Sequence, residues 1–73
     1  MIFQLVTHWF FWPEQGVVEE AISSHGRGGV KYAATSWPAE LDTPSGEMAL
    51  PPDAPVLVMG RRGLVLLVQP LAT

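Results

Sequence analysis

The residues with which this chain of 73 could do chemistry are two histidines, His8 and His25, and the hydroxyl pair Ser23-Ser24. Ser23-Ser24-His25 sets a hydroxyl beside an imidazole, the pairing that acyl transfer uses. Neighbours in sequence rarely meet in triad geometry, and no motif here marks donors for an oxyanion. A small hydrolase using Ser24 and His25 is therefore the minor reading, and a polar turn is the preferred one. The histidines stand far apart, with no carboxylate at ligand spacing, so two solvated imidazoles are expected rather than a metal site. There is no cysteine, which excludes disulfides, zinc ribbons and thiol chemistry. Glu19-Glu20 on a strand would point to opposite faces and cannot serve as a paired acid and base. The glycines of HGRGG, residues 25–29, could cradle a phosphate, but no lysine and hydroxyl follow to complete a P-loop. A flexible loop is the simpler reading. The chain is expected to be no enzyme and to hold no cofactor.

Charge narrows the partners. Four cations (Arg27, Lys31, Arg61 and Arg62) face seven acidic residues, for a net charge of −3. Affinity for nucleic acid comes largely from cations set against phosphates. With Glu19 and Glu20 among them, these four form no basic stripe, so no nucleic acid is expected as a partner. Arg61-Arg62 is the one local concentration of positive charge. It is read as a solvated turn, or else as a contact for acidic headgroups or an acidic protein.

These residues must be positioned by a very small domain. Apolar residues make up 48% of the chain and charged ones 15%, the latter well below the usual quarter. Such a chain cannot hide all its apolar surface, and some should meet a partner, a membrane or another copy. Pro13 divides it into an apolar aromatic segment, residues 1–13, and a β-rich domain, residues 14–73. In the first, Ile2, Leu5, Val6, Trp9 and Phe10 recur at helical spacing, which predicts a short helix; an extended segment would also suit the aromatic cluster. Residues 1–12 are too short to cross a bilayer, which takes about 20 apolar residues. They also lack the basic start and cleavage site of a signal peptide. The expected location is cytoplasmic or peripheral to a membrane.

After Pro13, strands are predicted at 16–22, 28–34, 36–41, 56–60 and 64–69. A turn at Ala34-Thr35 would set Tyr32 opposite Trp37 and Val30 opposite Ala39. Val30, Tyr32, Trp37, Ala39 and Leu41 then share an apolar face, with Lys31, Thr35, Pro38 and Glu40 on the other. This is core architecture rather than a binding platform. The interval 42–55 holds Pro44, Pro51, Pro52 and Pro55 and leaves room for at most one helical turn, near 45–48. An oligonucleotide/oligosaccharide-binding (OB) barrel places a helix in that interval, whereas an SH3-like barrel puts its helical turn between the last two strands. The predicted fold is all-β: a small five-stranded OB-like barrel whose helix between strands 3 and 4 is reduced or absent.

The last hairpin is expected to turn through 60–63, pairing Met59 with Leu64 and Leu57 with Leu66. Val56, Val58, Val65 and Leu67 would then form an outer apolar face in need of a cover. Phe3, Trp9, Phe10, Phe11 and Trp12 supply it by folding back, by self-association or by lying in a membrane interface. Self-association is preferred, which predicts a homo-oligomer, with membrane-surface contact as a rival. The candidate partner-binding residues are Phe3, Trp9, Phe10, Phe11, Trp12, Val56, Val58, Arg61, Arg62 and Val65.

From Gly16 onward, GVVEEAISSHGRGGVKYAATSWPAEL followed by LPPDAPVLVMGRRGLVLLVQP resembles the C-terminal soluble domain of the NfeD family. The shared features are a Val-rich first strand, Gly29 to Lys31 opening the second, Trp37 to Ala39 in the third and Gly63 to Pro70 in the last. The resemblance implies an OB-like barrel serving as a partner-binding domain. It also implies a link with stomatin-like membrane proteins and membrane-protein quality control. The family's transmembrane helices and the protease domain of its long members have no counterpart in this sequence, so no peptidase activity is carried over. The glycine usual before the fourth strand is replaced by Pro52-Asp53-Ala54. The alternative function is an OB-type binder of single-stranded nucleic acid, which needs exposed aromatics in a positive groove.

Overall fold

The structure is a computed structural model and describes residues 7–43 and 48–71. Seven strands follow in order: β1 (Thr7–Glu20), β2 (Ile22–Ser23), β3 (Gly28–Tyr32), β4 (Thr35–Leu41), β5 (Ala49–Leu50), β6 (Pro55–Arg62) and β7 (Val65–Pro70). Five of them close a barrel in the order β1-β3-β4-β7-β6. Numbered within the barrel, that order is first, second, third, fifth, fourth and back to the first. The third and fifth strands run parallel, Ala39 beside Leu66 and Leu41 beside Val68, and the other neighbours are antiparallel. This is the OB-like barrel. No helix occurs among the described residues. In the interval where an OB barrel places its helix, here expected to be reduced or absent, β5 pairs with β2 and adds Leu50 and Ile22 to the core. Residues 44–47, which include most of the expected helical turn, lie outside the described residues.

The core is made of alternate residues from every barrel strand: Val18, Val30, Ala39, Leu41, Val56, Val58, Leu66 and Val68, all buried. Each fully buried branched side chain contributes roughly 1.5–3 kcal/mol of transfer free energy, the main source of stability in a chain without disulfides. Phe10, Tyr32 and Trp37 pack against this cluster from its margin. Tyr32 and Trp37 are half-buried, which agrees with their expected role as core.

Several expectations on register are corrected. The β3–β4 turn is Ala33-Ala34, not Ala34-Thr35, so Trp37 faces Val30 and Tyr32 faces Thr35. The shift is by two residues, so the apolar face survives, and only Thr35 moves to the Tyr32 side. The β6–β7 strands run on through the arginines to a turn at Gly63-Leu64, in place of a loop at 60–63. Leu57 therefore faces Gln69 and Leu66 faces Arg61. A bulge at Met59, between Val58 and Gly60, reverses which side chains point inward. Val56 and Val58 are fully buried in the core, not on an outer face. Leu67 is buried too, although it lies outside the main core cluster.

For the first segment the sequence leaves both a short helix and an extended strand open. Its described part, Thr7 to Trp12, is strand and not helix, and β1 passes through Pro13 without a break. Trp and Phe favour a pleated surface, and a ladder with β6 outweighs a weak helical period. Thr7 pairs with Arg62, His8 with Arg61 and Trp9 with Gly60, and the ladder resumes at Glu14 beside Val58. Four residues of β1 (10–13) thus stand against one of β6 (Met59), leaving three extra residues that arch away from the barrel. Pro13, with no N–H to donate, sits in this arch, where no ladder partner is required.

Candidate protein-binding surface

The arch is where apolar side chains meet solvent. Phe10 turns toward the barrel, its ring stacked on Tyr32 at 6.2 Å and 21°. Phe11 and Trp12 turn outward and meet edge to face at 4.9 Å and 80°. Trp9 is 59% exposed, Phe11 85% and Trp12 74%, and Leu64 at the tip of the β6–β7 hairpin is 70% exposed. Burial of Tyr32 pushes its phenol above the usual value, and the Glu14 carboxylate adds to the shift.

Beside the arch run the arginines of β6. Arg62 donates from Nε to Thr7 Oγ1 at 3.2 Å and from Nη1 to Glu40 Oε1 at 3.4 Å. Glu40 also accepts from Arg27 Nε at 3.2 Å. One carboxylate thus holds two of the chain's four cations. Both arginines are about half exposed or more, so these pairs contribute little to stability, about 0–1 kcal/mol each. Among the described residues, Arg61 donates from Nη1 to the Gly63 carbonyl, at 3.4 Å.

An open polar hollow of about 450 Å³ lies between the β2–β3 loop and β4, with Ser23, Ser24, His25 and Asp42 along its wall. Ser24 Oγ accepts from the Met48 N–H at 3.1 Å, and Ser23 Oγ accepts from the backbone N–H of His25 at 3.3 Å. The Ser24 hydroxyl fastens the loop to the segment before β5, and the Ser23 hydroxyl closes a turn within the loop. His8 is on β1 beside Arg61, remote from His25 in the chain and on a different element.

Of the partner-binding residues named from the sequence, Trp9, Phe11, Trp12, Arg61 and Arg62 are exposed at one end of the barrel. Phe10 is half-buried against Tyr32, Val65 is half-buried, and Val56 and Val58 are interior. Phe3 lies outside the described residues. Leu64 was missed as a surface residue, because it becomes a tip only when Gly63 is the first residue of a two-residue turn. Glu40 was missed as the anchor of two arginines, since no local pattern links positions 27, 40 and 62.

No protein-family model, curated protein or solved structure matches this chain.

Proposed function

We propose that this chain is a non-catalytic protein-interaction module, an OB-like barrel acting at or near a membrane beside stomatin-like proteins. The resemblance of residues 16–70 to the NfeD C-terminal domain supplies the partner class. One observation carries the reading: Trp9, Phe11 and Trp12 stand exposed together on the arch, and none of the three belongs to the barrel's core. Large aromatics are the side chains that most often anchor protein interfaces, and their burial against a partner releases free energy that water cannot match. Arg27 and Arg62 are drawn onto Glu40, which weakens the rival reading as a nucleic-acid binder.

The test is a binding titration of the intact chain against the soluble domain of a stomatin-like protein, repeated with Trp12→Lys. Saturable binding that weakens at least about tenfold in the variant, with an unchanged melting curve, supports the proposal. Equal binding by both chains, or none by either, overturns it.

A further inference from the structure

The aromatic arch is also a strand with a free edge. On its β3 side, β1 is paired only from Val17 onward, and on its β6 side the arch has no register partner between Trp9 and Glu14. The backbone donors and acceptors of this stretch therefore lack a ladder among the described residues. Monomeric proteins guard such edges with lysines, acidic residues or prolines. Between Thr7 and Pro13 this chain has none of these, only His8 and four aromatic residues. Pro13 guards one end alone.

We infer that the free edge of β1, along residues 8–12, pairs antiparallel with the same edge of a second copy of this chain. The inference rests on the reading of the arch as a protein-binding surface and names another copy as an occupant. An antiparallel strand pair of identical segments is self-complementary about a two-fold axis, so one sequence supplies both halves of the ladder. Arg61 and Arg62 belong to the strand on the opposite side of β1, so pairing at the free edge leaves them at the rim. The stacking of Phe10 on Tyr32 fixes the arch before the partner arrives, which lowers the ordering cost of association. The exposed fractions of Trp9, Phe11 and Trp12 amount to roughly 300–550 Å² per chain at about 150–250 Å² for each whole side chain. Two copies would then bury on the order of 1,000 Å² once the strand backbones are added, the lower end of specific interfaces. A weak, reversible dimer is the expected result.

Sedimentation equilibrium of the intact chain over a concentration series tests this. The expected mass rises with concentration from 8.0 kDa toward twice that value. Phe11→Lys places a charge on the edge at a side chain that the monomer leaves in water, and should weaken association at least about tenfold with an unchanged circular dichroism spectrum. Amide hydrogen exchange supplies a measurement independent of any variant. Alternate amides within residues 8–12, those that point to the free edge, should gain protection in the intact chain as concentration rises. A dimer in which those amides exchange freely overturns the strand pairing. A chain that stays monomeric at millimolar concentration overturns it too, as does one that stays monomeric yet sediments with phosphatidylserine vesicles, which would give the arch to a lipid surface. A monomer that still binds the stomatin-like domain would sink this inference alone. Loss of both binding events would remove the arch as a protein-binding site altogether.

Discussion

Ala33 and Ala34 carry φ angles of 53° and 62°, and Asp53 one of 73°. Two successive left-handed residues between Tyr32 and Thr35 are the signature of a type I′ hairpin turn, for which Asn-Gly is the favoured pair. An L-residue with a Cβ costs roughly 1–2 kcal/mol in that region. The double change Ala33→Asn with Ala34→Gly should therefore stabilise the fold by about 1–2 kcal/mol, read as a higher melting temperature. Asp53 solves the turn that lacks the usual glycine. The Ala54 N–H donates to the Pro51 carbonyl at 3.2 Å, with Pro52 and the left-handed Asp53 at the centre, as in a type II turn. Tyr32 gives a prediction in pH. Its phenol loses a proton later in the folded chain than in the unfolded one, because burial and then Glu14 disfavour the phenolate. The resulting stabilisation is complete below the unfolded value of 10.0 and is lost as pH rises from there through the higher folded value. An ultraviolet titration should place the phenolate midpoint above pH 10.0, and Glu14→Gln should move that midpoint part of the way back, burial being the larger cause.

Among the elements, β1 decides the most, because it pairs with β3 at one end and with β6 along much of its length. Gly60 makes its first contact with β6 feasible: a Cβ there would overlap the His8 carbonyl oxygen and press on Trp9. Gly60→Ala should cost about 1–3 kcal/mol in a melt, and hydrogen exchange should show the loss concentrated at Thr7 to Trp9. The strands after Pro13 were legible in the sequence because runs such as Val56-Leu57-Val58 and Leu66-Leu67-Val68 have few other readings, and the long gap before residue 55 separated the third strand from the fourth. Registers were not legible. The β3–β4 turn has no glycine to mark it, and GRRG offers two glycines of which only Gly63 has positive φ, at 60°. The Met59 bulge then moved Val56 and Val58 inward, a change that strict alternation cannot foresee. The arch was ambiguous for a related reason. Its apolar spacing fits a helix, and only pairing with β6, far away in sequence, makes it a strand. The aromatic part of the candidate surface was legible by composition, whereas its Leu64 and Glu40 neighbours depend on the closed barrel.

The molecule as a whole is acidic, and its cations are partly spent on one another's partners. An OB-like barrel invites comparison with binders of single-stranded nucleic acid, which lay bases on aromatic side chains in a positive groove. Here Tyr32 and Trp37 are half-buried and packed against the core, so only part of each ring is open across the strands where bases would stack. Arg27 and Arg62 converge on Glu40, at 3.2 Å and 3.4 Å, which leaves Lys31 and Arg61 as the cations without a carboxylate partner among these ion pairs. The intact chain should therefore show no sub-micromolar affinity for single-stranded DNA in a fluorescence anisotropy titration at near-physiological salt. Glu40→Gln shows whether charge is the reason. The substitution removes a negative charge and frees two guanidiniums, while the exposed pairs it breaks cost about 1 kcal/mol of stability or less. If charge limits binding, affinity should rise, and the salt dependence should steepen by roughly 0.7 for each arginine that gains a phosphate. Tight, steeply salt-dependent binding by the unaltered chain would show that the Arg27–Glu40–Arg62 cluster opens to a phosphate backbone, and the nucleic-acid reading would then displace the protein-binding one.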